Sequence, residues 1–75
     1  MIGFDRSEWV DGMRTVQSDI AQLVASHEPT PECRSLLRIA IAEGFRLRTE
    51  ALEAGEPIGV VRGLECSIAH ALRVL

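Results

Sequence analysis

Apolar residues recur at steps of three and four along three segments of the chain, which is the spacing of one face of an α-helix. In the first segment this stripe consists of Trp9, Met13, Val16, Ile20, Leu23 and Val24, and His27 continues it. Polar residues occupy the opposite side, so the segment is amphipathic. The pattern predicts a helix over about 5–28, because Pro29 and Pro31 cannot continue it.

Local signals mark the start of this first helix. Asp5 suits the N-cap position, and Glu8 three residues later is suitable as its capping-box partner. Phe4 before the cap and Trp9 at the fourth helical position fit a hydrophobic staple. The sequence therefore predicts a helix that begins directly after Asp5.

Proline and glycine bound the second and third helices. Thr30 can cap, Pro31 suits the first helical position, and Gly55 can adopt the left-handed conformation that ends a helix. These signals predict a second helix over 31–54. A third helix is predicted over 58–75, from a further stripe of apolar residues: Val61, Leu64, Ile68, Leu72 and Leu75.

The connections between the predicted helices are only a few residues long, and short connections place consecutive helices antiparallel. No segment shows the strict alternation of a β-strand, and a chain of 75 residues forms at most one domain. We therefore expect an all-α fold, with one domain over 1–75 arranged as a small up-down-up three-helix unit.

The second helix has a broad apolar surface. A middle helix that contacts two neighbours needs a broad surface in any case, but Ile39 on one side and Phe45 and Leu52 on the other suggest a further contact. Folded chains of about this size have marginal cores, and association with a second chain is a common remedy. The chain is also 47% hydrophobic, which is high for its length. We therefore expect a homodimeric helical bundle, with these residues at the interface: Ile39, Ile41, Phe45 and Leu52.

Charge and composition narrow the range of partners and sources. The 11 acidic and 8 basic residues leave a net charge of −3, which disfavours nucleic-acid binding through phosphate neutralisation. All the basic residues are arginine, and lysine, asparagine and tyrosine are absent, which indicates a GC-rich coding genome and a bacterial or phage source. No signal peptide and no apolar run of about 18 residues is present, so we expect a cytoplasmic protein without a membrane partner.

Candidate chemical groups are few. Cys66 and His70 stand four residues apart, a spacing at which two side chains can share a metal ion, but a closed zinc site needs about four ligands. The remaining candidates, His27 and Cys33, lie near the junction of the first two helices. Cys33 suits a thiolate at a helix start, yet the spacing identifies no base for a nucleophile. We expect no metal, no cofactor and no catalytic residue.

Two functional hypotheses follow. The first is a non-enzymatic protein–protein interaction module, a regulatory adaptor, inhibitor or anti-activator that acts as a helical dimer and binds another protein. The rival is a small all-helical dimeric enzyme with a pocket lined by Arg38, Glu43 and Arg48, in which a partly desolvated carboxylate faces arginines. A nucleic-acid-associated regulator would additionally require arginines from two chains to form a basic stripe.

Overall fold

The computed structural model describes residues 4–26 and 30–75, which contain three α-helices: α1 (Arg6–Ala25), α2 (Pro31–Glu53) and α3 (Ile58–Val74). The prediction of an all-α fold with three helices is confirmed, and each helix packs against the other two. The observed α2 and α3 each end one residue before the predicted end. The observed α1 ends at Ala25 with Ser26 as its C-cap, and the predicted helical residues 27–28, including His27, lie outside the described residues.

The helices α1 and α2 run antiparallel. Near the start of α1, the indole Nε1 of Trp9 donates a hydrogen bond of 2.7 Å to the carbonyl oxygen of Leu47, in the second half of α2. Toward the end of α1, the carbonyl oxygen of Leu23 accepts from Sγ of Cys33, 3.6 Å away in the first turn of α2. Residue numbers therefore rise along one helix as they fall along the other.

The helices α2 and α3 are also antiparallel. Nε of Arg48 donates to Oε1 of Glu65 at 2.7 Å. Closer to the start of α2 and the end of α3, a Cβ added to Gly44 would lie 3.0 Å from Cγ1 of Ile68. The three helices thus run up, down and up, and α2 lies between two antiparallel neighbours.

Side chains cap the first turns of α1 and α2. Oδ1 of Asp5 accepts from the backbone nitrogen of Glu8 at 3.2 Å, and Oγ1 of Thr30 accepts from the backbone nitrogen of Cys33 at 3.1 Å. These bonds satisfy amide groups that have no partner within the first helical turn. The third helix begins after Pro57 without a side-chain cap.

Gly55 closes the turn between α2 and α3. Its φ of 79° lies in the left-handed region, where a residue with a Cβ is strained. Its backbone nitrogen donates to the carbonyl of Leu52 at 3.2 Å, and the nitrogen of Glu56 donates to the carbonyl of Ala51 at 3.0 Å. This pair of bonds is the Schellman motif, which ends α2 and allows the chain to reverse direction.

The core is apolar throughout the described part of the chain, where no polar or charged side chain is buried. Its buried hydrophobic residues are Trp9, Val16, Ile20, Leu37, Ala40, Ile41, Leu47, Ala51, Val61, Leu64, Ile68 and Ala71. All three helices contribute, at the three- and four-residue spacing that the sequence pattern indicates.

Gly44 is the position where all three helices meet. A Cβ there would lie 3.0 Å from Cδ1 and Cγ1 of Ile68 in α3, and 3.6 Å from Cγ1 of Val16 in α1. Ile68 is itself buried, so it has little room to move away. The missing side chain at Gly44 therefore sets the separation of the helices.

We expect Gly44→Ala to lower the free energy of unfolding by about 1 kcal/mol. Overpacking a core costs about 1 to 3 kcal/mol, which exceeds the gain of up to about 1 kcal/mol from replacing glycine in a helix. Urea unfolding followed by circular dichroism measures the change. Gly59→Ala is the matched control, since no atom lies within 4 Å of its Cβ position. If both variants were stabilised equally, Gly44 would not set the helix separation.

Candidate interaction surfaces

Large apolar side chains are exposed along one side of the α2–α3 pair. In α2, Phe45 is 46% and Leu52 is 43% exposed, and in α3, Ile58 is 65% and Leu72 is 51% exposed. Seven residues complete about two helical turns, so residues seven or fourteen apart lie on the same side of a helix. Phe45 and Leu52 therefore form one line along α2, and Ile58 and Leu72 form another along α3. We call the surface formed by these four residues the α2–α3 face.

An ion pair joins the two lines. Arg48 lies between the two apolar residues of α2, and Glu65 lies midway between those of α3. Arg48 donates to Glu65 at 2.7 Å, and the two side chains are 39% and 42% exposed. Because these side chains touch, the two apolar lines border the same surface. The α2–α3 face thus carries a positive charge on one helix and a negative charge on the other.

A second, smaller apolar surface lies on the other side of α2, toward α1. Leu36 and Ile39 are both more than half exposed there. Seven residues further along the helix, these positions are followed by Glu43 and Arg46. We call the surface formed by these four residues the α1–α2 flank.

The predicted interface residues are not all on the surface. Ile39, Phe45 and Leu52 are exposed, whereas Ile41 is only 6% exposed and belongs to the core of its own chain. Ile41 follows the buried Leu37 by one turn, so it lies on the stripe that faces the neighbouring helices. The expectation that Ile41 is available to a second chain is therefore corrected. The exposed residues are also divided, with Ile39 on the α1–α2 flank and the other two on the α2–α3 face.

Sequence reasoning misses Ile58, Glu65 and Leu72 as surface residues. It places Leu72 on the apolar stripe of the third helix, four residues after Ile68, whereas Leu72 is 51% exposed. The regular spacing of seven residues from Ile58 to Glu65 to Leu72 is the signal that could have shown that they share one line.

The residues of the alternative pocket do not converge within one chain. Arg38, Glu43 and Arg48 are five residues apart, and each step of five turns the side chain by about 140° around the helix. Glu43 forms an ion pair with Arg46, and Arg48 forms one with Glu65. The three side chains therefore leave α2 in three directions, and a pocket lined by them would require a second chain.

Arg46 bridges two carboxylates beside α1. Its guanidinium donates to both carboxylate oxygens of Glu43, three residues earlier, and to Glu50, four residues later. The hydrogen bonds from Arg46 hold the pKa of Glu43 below its ordinary value, against the opposing effect of partial desolvation. The same pairing raises the pKa of Arg46. The charges of these three side chains are thus satisfied within one helix.

We expect Arg46→Gln to raise the pKa of Glu43 toward its ordinary value, because the variant loses the donating cation. Carbon-detected NMR titration of the Glu43 carboxyl measures this directly. Since the lowered pKa belongs to the folded chain, the pair stabilises the fold above the ordinary pKa, and this contribution is lost as the pH falls through the lowered value. Arg48→Gln is the control, because Arg48 pairs with Glu65 instead. An equal effect of both variants would contradict the assignment.

An open groove of about 780 Å³ lies between the start of α1 and the end of α2. The rings of Phe4 and Trp9, with centroids 6.1 Å apart, line one part of it. Four carboxylate side chains are also among its lining residues: Asp5, Glu8, Glu50 and Glu53. The described lining contains no cysteine, serine or histidine. The groove therefore does not assemble a nucleophile with a neighbouring base.

The two thiols of the described residues lie on different helices, and His70 shares α3 with Cys66. Sγ of Cys33 lies 3.7 Å from Oγ of Ser26, at the junction of α1 and α2, and Cys66 and His70 are exposed on α3. Within residues 4–26 and 30–75, no three potential metal ligands are close enough to share one ion. His27, the other candidate ligand, lies outside the described residues.

Two further findings concern the chain as a whole. None of the helices in the described ranges is both long enough and apolar enough to cross a lipid bilayer. Comparison with protein-family models, with curated proteins and with solved structures found no match.

Proposed function

We propose that this chain is a non-enzymatic protein–protein interaction module that acts as a helical homodimer, in the manner of a regulatory adaptor, inhibitor or anti-activator. The observation that carries the proposal is the exposure of Phe45, Leu52, Ile58 and Leu72 on one side of two neighbouring helices. Several large apolar side chains exposed on one surface are typical of sites where another polypeptide binds.

The energetics of a short chain support association. Complete burial of a large apolar side chain contributes about 1.5 to 3 kcal/mol. Covering the exposed half of one residue on the α2–α3 face would therefore contribute about 1 kcal/mol per residue. A core in a chain of this length supplies only about 3 to 5 kcal/mol. Several such contacts from each of two chains would therefore add stability comparable with that of the isolated fold.

The arrangement of charged groups favours binding over catalysis. Catalytic acids and bases are usually desolvated and held near one another in a cleft. In the described part of this chain, Arg46 and Arg48 form ion pairs at the surface with carboxylates of α2 and α3. Such solvated pairs can contact charged groups of a bound partner, where charge determines which partner binds.

Sedimentation equilibrium tests the proposal. Over loading concentrations from about 1 to about 100 µM, we expect the average mass to rise from that of the 8.2 kDa chain toward twice that value, with helicity unchanged. A chain that keeps the monomer mass at every concentration while its circular dichroism shows intact helices would overturn the homodimer.

A further inference from the structure

We propose that the α2–α3 face of one protomer packs against the same face of a second copy, with α2 of each protomer over α3 of the other. This inference rests on the proposed homodimer and specifies which surface forms it. The result is an antiparallel four-helix bundle of α2 and α3 from both chains, with α1 of each chain on the outside.

The charges of the α2–α3 face are self-complementary in this arrangement. A two-fold axis parallel to the helices keeps every residue at its own height and exchanges the positions of α2 and α3. Arg48 is then opposite the partner's Glu65, while it also keeps its contact with Glu65 of its own chain. Two arginines and two glutamates alternate around a square, so each charge has neighbours of the opposite sign.

The same charges disfavour the other two-fold arrangement. An axis perpendicular to the helices and passing near the ion pair would place α2 over the partner's α2. Arg48 would then face the partner's Arg48, and Glu65 would face the partner's Glu65, which is repulsive. The position of one charge on each helix therefore selects the orientation of the second copy.

The register of the helices brings apolar residues together. Because Gly44 packs against Ile68, the next residue of α2, Phe45, lies level with the middle of α3. In the proposed dimer Phe45 therefore lies over the partner's α3, between the partner's Glu65 and the partner's Leu72. Its exposed ring would be partly covered by the partner's Leu72, on one side of the charged centre.

The α2–α3 face has about the area of the smallest specific interfaces. The 17 residues of α3 span about 25 Å, and two helices side by side present a face about 20 Å wide. The flat projection is on the order of 500 Å², close to the roughly 600 Å² per partner at the low end of specific interfaces.

The α1–α2 flank is less suited to a second copy. Its exposed large apolar residues are Leu36 and Ile39, and the adjacent charged group contains Glu43, Arg46 and Glu50. Two carboxylates with one guanidinium leave an excess negative charge on each protomer. If two copies of the α1–α2 flank packed against each other, the excess negative charges of the two protomers would be brought together and would repel.

A charge-exchange experiment tests the choice of face. Arg48→Glu places four carboxylates at the centre of the proposed interface, and Glu65→Arg places four guanidinium groups there. We expect each variant alone to raise the dimer dissociation constant at least about tenfold. An equimolar mixture should return to within about threefold of the original affinity, because every glutamate then faces an arginine. Native mass spectrometry separates the mixed dimer from the two homodimers by mass.

Arg46→Glu is the matched control. It changes the net charge by the same amount as Arg48→Glu but lies on the α1–α2 flank. We expect it to change the dissociation constant by less than about threefold. General repulsion between the chains is equal in the two variants, so a larger effect of Arg48→Glu reports on the α2–α3 face itself. Equal weakening by both substitutions, or a mixture that stays monomeric, would overturn the proposed face.

The outcomes also separate this inference from the proposed function. If the unaltered chain is monomeric at every concentration, both fail together. If it dimerises and Arg48→Glu dimerises equally well, only the α2–α3 face is wrong.

A second pair of variants applies if Arg48→Glu loses helicity. Phe45→Gln with Leu72→Gln removes apolar surface from the α2–α3 face, and Leu36→Gln with Ile39→Gln removes a similar amount from the α1–α2 flank. Only the first pair should weaken the dimer, by at least about tenfold. The reverse result would show that the second copy binds the α1–α2 flank.

Discussion

The close approach of three helices at Gly44 is the constraint on which the rest of the structure depends. Ile68 from α3 and Val16 from α1 both approach the bare backbone of α2 at this point. The second helix is therefore covered along the stripe that faces both neighbours, and its remaining apolar residues lie at the two edges of that stripe. The exposure of Phe45 at one edge and Ile39 at the other follows from this packing.

The helix boundaries were readable from the sequence because they depend on local chemistry. Asp5 and Thr30 accept hydrogen bonds from amides three residues later, and Gly55 adopts a conformation that other residues rarely take. Such signals act within a few residues, so they need no knowledge of the tertiary structure. The spacing of apolar residues likewise indicated three helices with one buried stripe each.

The surface was harder to predict because it depends on how the helices pack. Ile41 and Phe45 are both apolar and only one turn apart, yet the first is buried and the second is half exposed. Which of them a neighbour covers is decided by the separation and angle of the helices, which the periodicity of one helix does not contain. The contact between Arg48 and Glu65 joins residues 17 positions apart, on different helices, and could not be predicted from spacing within either helix.

The hydrogen bond from Trp9 to the carbonyl of Leu47 has a practical consequence for studies of this chain. Trp9 is the one tryptophan in the sequence, and its indole is buried between α1 and α2. Its fluorescence therefore reports on whether α1 is docked, at a site away from the residues of the α2–α3 face. A change in Trp9 fluorescence therefore reports on unfolding of the chain and not on events confined to the α2–α3 face.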